Sequence, residues 1–131
     1  MFVEIFMTAS LAINVLVLVP VCNGLYSDGE GMKAVYGPET PARGILKAVY
    51  TSILVVSLVL LPSIYIEGTR VGARWMSAGL FVVQIVYKFL TPATTKGGVP
   101  PGMPMNPAVL SNFAIAAFHC ISLTFFFLSN A

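Results

Sequence analysis

Charged residues are scarce in this sequence. Only 9% of its 131 residues are Asp, Glu, Lys or Arg, whereas 57% are hydrophobic, and a soluble domain has about 25% charged residues. A soluble chain this short buries only roughly two-thirds of the surface that it exposes when unfolded, so it could not hide so much apolar surface from water. The formal net charge of +2 is too small and too scattered to indicate a nucleic-acid partner. The composition therefore predicts a membrane protein whose first partner is the lipid bilayer.

Residues that usually carry chemistry are also few. Cys22 lies near the end of the first apolar run and Cys120 near the middle of the last, a difference in depth that argues against a disulfide between them. No C-x-x-C spacing, phosphate loop, nucleophile elbow or H-E-x-x-H motif is present, so no metal site is predicted. Every carboxylate lies in a loop or near the end of an apolar run. These absences favour a non-enzymatic protein and disfavour a proton- or sodium-coupled transporter, which usually has acidic residues at the midplane.

Four long apolar segments dominate what is present. The predicted helices cover residues 2–22, 41–66, 71–90 and 107–128, approximately. Each is near the ~20 residues that cross ~30 Å of hydrocarbon, and helices satisfy their own backbone hydrogen bonds in lipid. The first segment lacks a basic n-region and a small-residue cleavage site, so we expect a retained helix rather than a signal peptide. The sequence predicts an all-α integral membrane bundle of four helices in one domain, with an antiparallel, up-and-down order.

The ends of the segments carry turn signals. Thr40-Pro41 and Asn106-Pro107 each pair an N-cap residue with a proline at the first helical position. Asn23-Gly24 is expected to end the first helix, and the first loop is expected to be polar, with a flexible turn at 28–31. The second loop, 68–70, is tight, so the second and third helices should be antiparallel neighbours. The third loop, 92–105, is rich in proline and glycine and is expected to be irregular.

Lysine and arginine are unevenly distributed between the two ends of the predicted bundle. The end with the first and third loops carries Lys33, Arg43, Lys47, Lys88 and Lys96. The opposite end carries Arg70 and Arg74. Because basic loops stay in the cytoplasm, this asymmetry predicts both termini on the non-cytoplasmic side.

Each predicted helix has one stripe of polar or small side chains. The stripes are Ser10 and Asn14; Lys47, Tyr50, Thr51 and Leu54; Ser77, Gln84, Tyr87 and Lys88; and Asn112, Ala116, His119 and Ser122. The simplest interpretation is that these stripes face the bundle interior. There each hydrogen bond between helices contributes on the order of 0.6 to 2 kcal/mol.

A more specific hypothesis concerns the end that carries loops 1 and 3. The polar residues within two turns of that end are Lys47, Tyr50, Gln84, Tyr87, Lys88 and Asn112. The N-termini of the second and fourth helices open there too, with their partial positive charges. Together these groups predict a cationic mouth for a lipid phosphate, a carboxylate or a partner's acidic residue. The alternative is that the lysines only extend to lipid headgroups.

His119 is the single histidine and lies near the middle of the fourth segment. It could be the axial ligand of a chlorophyll or haem, or could relay protons. The alternative is a buried histidine hydrogen-bonded to a neighbouring helix.

The order of the segments, with a longer first connection and a tight second one, is similar to that of several families of small four-helix membrane proteins, including DoxX-like proteins. This likeness covers segment order only and assigns no functional residue. Two functions are therefore considered. The first is a non-enzymatic accessory subunit packed against a larger membrane complex of the photosynthetic, respiratory or oxygenase type. The second is a lipid- or pigment-binding protein, or a membrane enzyme acting on a lipid, that uses the cationic mouth.

Overall fold

The computed structural model describes residues 2–95 and 105–131, and this part of the chain contains five helices. They are α1 (Phe2–Tyr26), α2 (Glu30–Tyr36), α3 (Pro41–Ser63), α4 (Arg70–Thr94) and α5 (Pro107–Leu128). All but α2 are long and apolar enough to cross a membrane. This confirms the predicted all-α bundle with four membrane-spanning helices, and by length and composition the chain is a multi-pass membrane protein.

Both predicted helix starts are confirmed by their caps. The Thr40 hydroxyl accepts a hydrogen bond from the backbone N–H of Arg43 at 3.2 Å. The Asn106 side-chain oxygen accepts one from the backbone N–H of Ala108 at 2.8 Å. Each cap is followed by a proline, which has no N–H to leave unsatisfied.

The predicted end of the first helix is wrong. α1 continues through Gly24 to Tyr26, because Gly24 is used for close packing rather than as a cap. A Cβ atom at Gly24 would lie 2.8 Å from Cγ of Met32 on α2. Glycine therefore allows α2 to approach α1 at this point.

Two further boundaries differ from the predictions. α3 ends at Ser63, and the chain then turns with the Thr69 hydroxyl donating to the Ser63 carbonyl at 2.9 Å. α4 runs through Pro92 to Thr94 instead of ending before the proline. Proline removes one backbone hydrogen bond, to the carbonyl four residues earlier, and membrane helices tolerate such losses where neighbouring groups compensate.

The first loop contains a helix that the sequence analysis did not predict. α2 has seven residues, none of them buried, and the Lys33 ammonium donates to the Glu30 carboxylate within it at 2.8 Å. Asp28 turns the chain with a φ of 53°, and the helix begins two residues later. The turn predicted at 28–31 is therefore confined to its first half. Residues 96–104 of the predicted third loop, including Lys96, lie outside the described residues.

The four long helices do not pack equally against one another. α1 packs mainly against α3 and α5, α4 packs mainly against α5, and the contact between α3 and α4 is smaller. α3 and α4 are in contact, as expected of neighbours joined by a short connection, but each has a larger contact with another helix. Their antiparallel arrangement stays a prediction.

Hydrogen bonds between side chains show how α1 and the α3 segment are aligned. The bonded pairs are Thr8 with Tyr65, Asn14 with Ser57 and Tyr26 with Thr51. Along these pairs the residue numbers rise in α1 while those of the partner segment fall. This order is expected when two neighbouring segments run in opposite directions. The up-and-down order of the whole bundle stays a prediction.

The apolar core has two clusters, one at each end of the bundle. The terminal end, which carries the start of α1 and the end of α5, includes Met7, Leu11, Phe81 and Phe126, all with no exposed surface. The loop end, which carries α2 and the start of α3, includes Leu18, Leu25, Tyr50 and Ile53. Buried polar side chains form a layer between them: Ser10, Asn14, Ser57, Gln84, His119 and Ser122. Their burial supports the predicted inward stripes on α1, α4 and α5. Of the stripe predicted on α3 only Tyr50 is buried, whereas Lys47, Thr51 and Leu54 are partly exposed.

Candidate functional site

A cavity of about 400 Å³ lies at the loop end of the bundle, between α3, α4 and α5, and α2 forms part of its wall. Its polar lining includes Tyr36, Tyr50, Tyr87, Thr91, Thr94, Thr95, Asn106 and Asn112, and its apolar lining includes Val35, Leu46, Ala108 and Val109. Of the described residues that line it, none is acidic. The volume falls within the roughly 300–1,000 Å³ of small-molecule sites.

A buried lysine, Lys88, does not itself line this cavity but contacts two residues that do, Tyr87 and Asn112. Lys88 is 4% exposed, and its ammonium donates to the side-chain oxygen of Asn112 at 2.9 Å. The same ammonium lies 5.0 Å from the centre of the Tyr87 ring, where the face of the ring attracts a cation. Asn112 also donates to the Thr91 hydroxyl at 3.3 Å. The lysine is therefore held in place by neutral groups.

No carboxylate pairs with Lys88 in the part of the chain that the structure describes. The ion pairs that lie within residues 2–95 involve Lys33, Arg43, Lys47 and Arg74. An ammonium that is buried in a membrane protein without an acidic partner is costly, and such residues mark functional sites. The hydroxyl of Tyr87 is likewise buried without a hydrogen-bond partner.

The structure brings together most, but not all, of the predicted cationic mouth. Tyr50 and Asn112 line the cavity, and Lys88 bonds Asn112. Gln84 lies one turn deeper on α4, 1% exposed. Lys47 does not join them. Its ammonium lies 2.7 Å from the Glu39 carboxylate, so a local ion pair holds it apart from Lys88.

The sequence did not predict Tyr36 and Asn106 as cavity residues, because their places in the cavity depend on α2. Tyr36 packs edge-on against Tyr50, with 6.2 Å between the ring centres. Burial raises the pKa of the Tyr36 hydroxyl, so this group stays a neutral hydrogen-bond donor. Asn106 donates to the Val35 carbonyl at 2.9 Å and so joins α5 to α2. The spacing of Met32, Val35 and Tyr36, three and four residues apart, is the signal that could have predicted α2.

Arg43 fixes both ends of α2. Its side chain is 1% exposed, and Nη1 donates to the Asp28 carboxylate at 2.6 Å and to the Gly37 carbonyl at 3.1 Å. Asp28 precedes α2, and Gly37 follows it with a φ of 79° that favours glycine. Loss of water around Asp28 raises its pKa, but the hydrogen bonds and charges of Arg43 and Lys33 outweigh this and hold the pKa below its usual value. The Asp28 carboxylate is therefore ionised, and the pair with Arg43 intact, at neutral pH.

His119 occupies the polar layer rather than the cavity. It has no exposed surface, its Nδ1 lies 3.1 Å from the Ser10 hydroxyl, and its ring stacks on Phe81 with 4.6 Å between the centres. Its Nε2 is buried without a partner. A chlorophyll or haem bound to Nε2 would have to displace packed helices, so this packing does not favour the axial-ligand hypothesis.

The fold and the cavity together define a class, a multi-pass helical membrane protein with a polar cavity at one membrane face. Comparison of the chain with protein-family models, with curated proteins and with solved structures finds no match. Proposals about its function therefore rest on its own residues.

Proposed function

We propose that this protein binds an amphiphilic molecule whose polar head enters the cavity at the loop end. The observation that carries the proposal is the buried Lys88 ammonium, held against the cavity by Asn112 with no carboxylate partner among the described residues. Leaving a buried charge unpaired is unfavourable. A head group that is anionic, or rich in hydrogen-bond acceptors, would stabilise it through charge-assisted hydrogen bonds.

The depth of the cavity suits such a ligand. It extends from Asn106, at the start of α5, to Asn112, a span of about 9 Å along the helix at ~1.5 Å per residue. That distance covers the headgroup region and the first part of the hydrocarbon. Leu46 and Val109 flank the polar lining, so the base of an acyl chain or a ring would meet apolar surface.

The polar groups of the site favour acceptors on the ligand. Lys88 has donor capacity beyond its bond to Asn112, and the Tyr87 hydroxyl has no partner. The Tyr87 hydroxyl can donate directly to a phosphate or carboxylate oxygen in the cavity, and the Lys88 ammonium, which lies behind Tyr87 and Asn112, attracts the same anion. With the predicted orientation, in which basic loops are cytoplasmic, the cavity opens toward the cytoplasmic leaflet and both termini lie on the opposite side.

Co-purification tests the proposal. The wild-type protein, extracted in mild detergent, is expected to retain an amphiphile in higher proportion than in the bulk lipid, as measured by mass spectrometry of an organic extract. Lys88→Met, which removes the buried charge but keeps the length of the side chain, is expected to lose this molecule. Lys47→Met makes the same change outside the cavity and is expected to retain it.

Two results would contradict the proposal. One is a wild-type extract that contains only bulk lipids in bulk proportions. The other is equal retention by Lys88→Met and Lys47→Met when circular dichroism shows that both variants are folded.

As a second candidate function we propose an accessory subunit of a larger membrane complex, supported by the outer face of α4. Gly72 and Gly79 lie seven residues apart on that face, and nothing lies within 4 Å of a Cβ built at either position. Trp75 and Met76 beside them are more than half exposed. Small residues let the backbones of two membrane helices approach closely, so this face suits another helix as well as it suits lipid.

Native electrophoresis after gentle detergent extraction tests the second candidate. The wild-type chain is expected to migrate in a large assembly, and Gly79→Leu is expected to release it, because the new side chain fills the path of an approaching helix. Gly44→Leu is the control, since Gly44 on α3 also has nothing within 4 Å of a built Cβ. A wild-type protein that migrates alone would rule this candidate out.

A further inference from the structure

Three fully buried side chains of α1 and α5 form a hydrogen-bonded chain in the polar layer. The Ser10 and Ser122 hydroxyl oxygens lie 2.7 Å apart, and Nδ1 of His119 lies 3.1 Å from the Ser10 hydroxyl. None of the three has exposed surface. The position of each proton is therefore set by these contacts rather than by solvent.

The direction of each hydrogen bond in this series is worked out from Ser122, the member that lies farthest from His119 along the series. The Ser122 hydroxyl donates its one proton to a backbone carbonyl, that of Phe6 at 3.0 Å or Phe118 at 3.2 Å, because a carbonyl can only accept. With the Ser122 proton on a carbonyl, Ser122 accepts the single proton of Ser10, and Ser10 accepts from His119. In this arrangement Nδ1 of the imidazole carries a proton, and the complete burial of the ring favours its neutral form. Its Nε2 is left with a lone pair that needs a donor.

A donor without a partner lies on α4, one helical turn from the Phe81 ring that stacks on His119. Gln84 is 1% exposed, and its Nε2, like Nε2 of His119, is buried without a hydrogen-bond partner. Phe81 stacks on the imidazole, and Gln84 follows Phe81 by three residues, which places both on one face of α4. On α5, Ala116 precedes His119 by three residues and is fully buried. Its methyl group takes little of the space at that level.

We propose that a water molecule binds in the middle of the membrane between Nε2 of Gln84 and Nε2 of His119. Water accepts the proton of the amide and donates one of its own to the imidazole, so both unpartnered nitrogens are satisfied at once. Lys88 lies one turn beyond Gln84 on the same helix. The bound water therefore extends the polar groups of the cavity to the centre of the bundle, and it does so whether or not an amphiphile occupies the cavity.

Nuclear magnetic resonance of the protein in lipid vesicles tests this site. Since the chain has one histidine, labelling histidine with nitrogen-15 gives the signals of His119 alone. The expected spectrum has a protonated Nδ1 and an unprotonated Nε2, with transfer of magnetisation from water protons to the imidazole. A proton on Nε2 in the wild type would overturn the inference, and so would absence of transfer from water, which a direct bond between Gln84 and His119 would produce.

Two variants distinguish the effect of the bound water on the spectrum from the effect of the surrounding packing. Gln84→Leu is expected to lose the transfer from water while the proton stays on Nδ1. Ser10→Ala removes the acceptor of Nδ1 and is expected to shift the proton toward Nε2. Ser77→Ala is the matched control, because Ser77 is equally buried but donates to the Ala73 carbonyl, and its spectrum should equal that of the wild type. If the Gln84 variant does not fold, the wild-type spectrum alone still decides.

Discussion

Phe81→Ala is expected to lower the free energy of unfolding by about 2 to 3 kcal/mol. Phe81 has no exposed surface and belongs to the apolar cluster at the terminal end, where its ring stacks on His119. In soluble proteins Phe→Ala costs about 3–5 kcal/mol, part of it the transfer of the side chain from water. In a bilayer the separated helices are already in lipid, so only the lost packing remains.

Unfolding in mixed micelles, followed by circular dichroism, measures this loss. Phe127→Ala is the matched control, because Phe127 is 54% exposed and its replacement is expected to change the free energy by less than ~0.5 kcal/mol. Equal losses for the two variants would mean that Phe81 does not pack in the core as described.

Arg43→Met is expected to free α2 from the bundle and to raise the rate of trypsin cleavage after Lys33 by about tenfold or more. Arg43 bonds Asp28, two residues before α2, and Gly37, the residue after it, and α2 has no buried residue of its own. Because proteolysis requires local opening, cleavage within α2 reports directly on these bonds.

Lys47→Met provides the control for Arg43. It removes one basic residue and one trypsin site, as Arg43→Met does, but Lys47 pairs with Glu39 rather than with the ends of α2. Its rate of cleavage after Lys33 should equal that of the wild type, and a similar rate for both variants would argue against the role of Arg43.

The attachment of α2 is expected to weaken as the pH falls, because the pKa of Asp28 is lowered in the folded protein. Its contribution is complete at neutral pH and is lost as the pH falls through its pKa in the folded protein.

The membrane-spanning helices could be predicted because each depends on a long local pattern. Hydrophobic runs and the caps at Thr40 and Asn106 lie within short stretches of sequence, and both caps form as expected. α2 was missed because its one periodic signal, the spacing of Met32, Val35 and Tyr36, spans little more than one helical turn and stands out only weakly from a polar loop. α4 passes Pro92 because a lost hydrogen bond in the last turn costs less than the proline rule assumes for a helix interior.

The candidate site was predicted in part for a similar reason. Tyr50, Lys88 and Asn112 share a depth and an inward face, and both follow from helical periodicity. Lys47 shares the depth, but its pairing with Glu39 depends on how the chain enters α3, which periodicity does not describe. The loose contact between α3 and α4, which leaves space for the cavity, depends on α3 packing against α1, for example through Asn14 and Ser57. Loop length carries no information about that choice of partner.

The way in which α2 is attached has a consequence for kinetics. α2 supplies Val35 and Tyr36 to the cavity wall. None of its residues is buried, but Met32 and Tyr36 pack against the apolar cluster at the loop end, and polar bonds from Arg43 and Asn106 add to this contact. Detaching α2 would therefore break fewer contacts than separating any two of the four long helices that pack tightly. If the cavity binds an amphiphile as proposed, a substitution at Arg43, which does not line the cavity, would change the rate at which the molecule exchanges with the bilayer more than it changes the groups on α4 and α5 that contact the molecule.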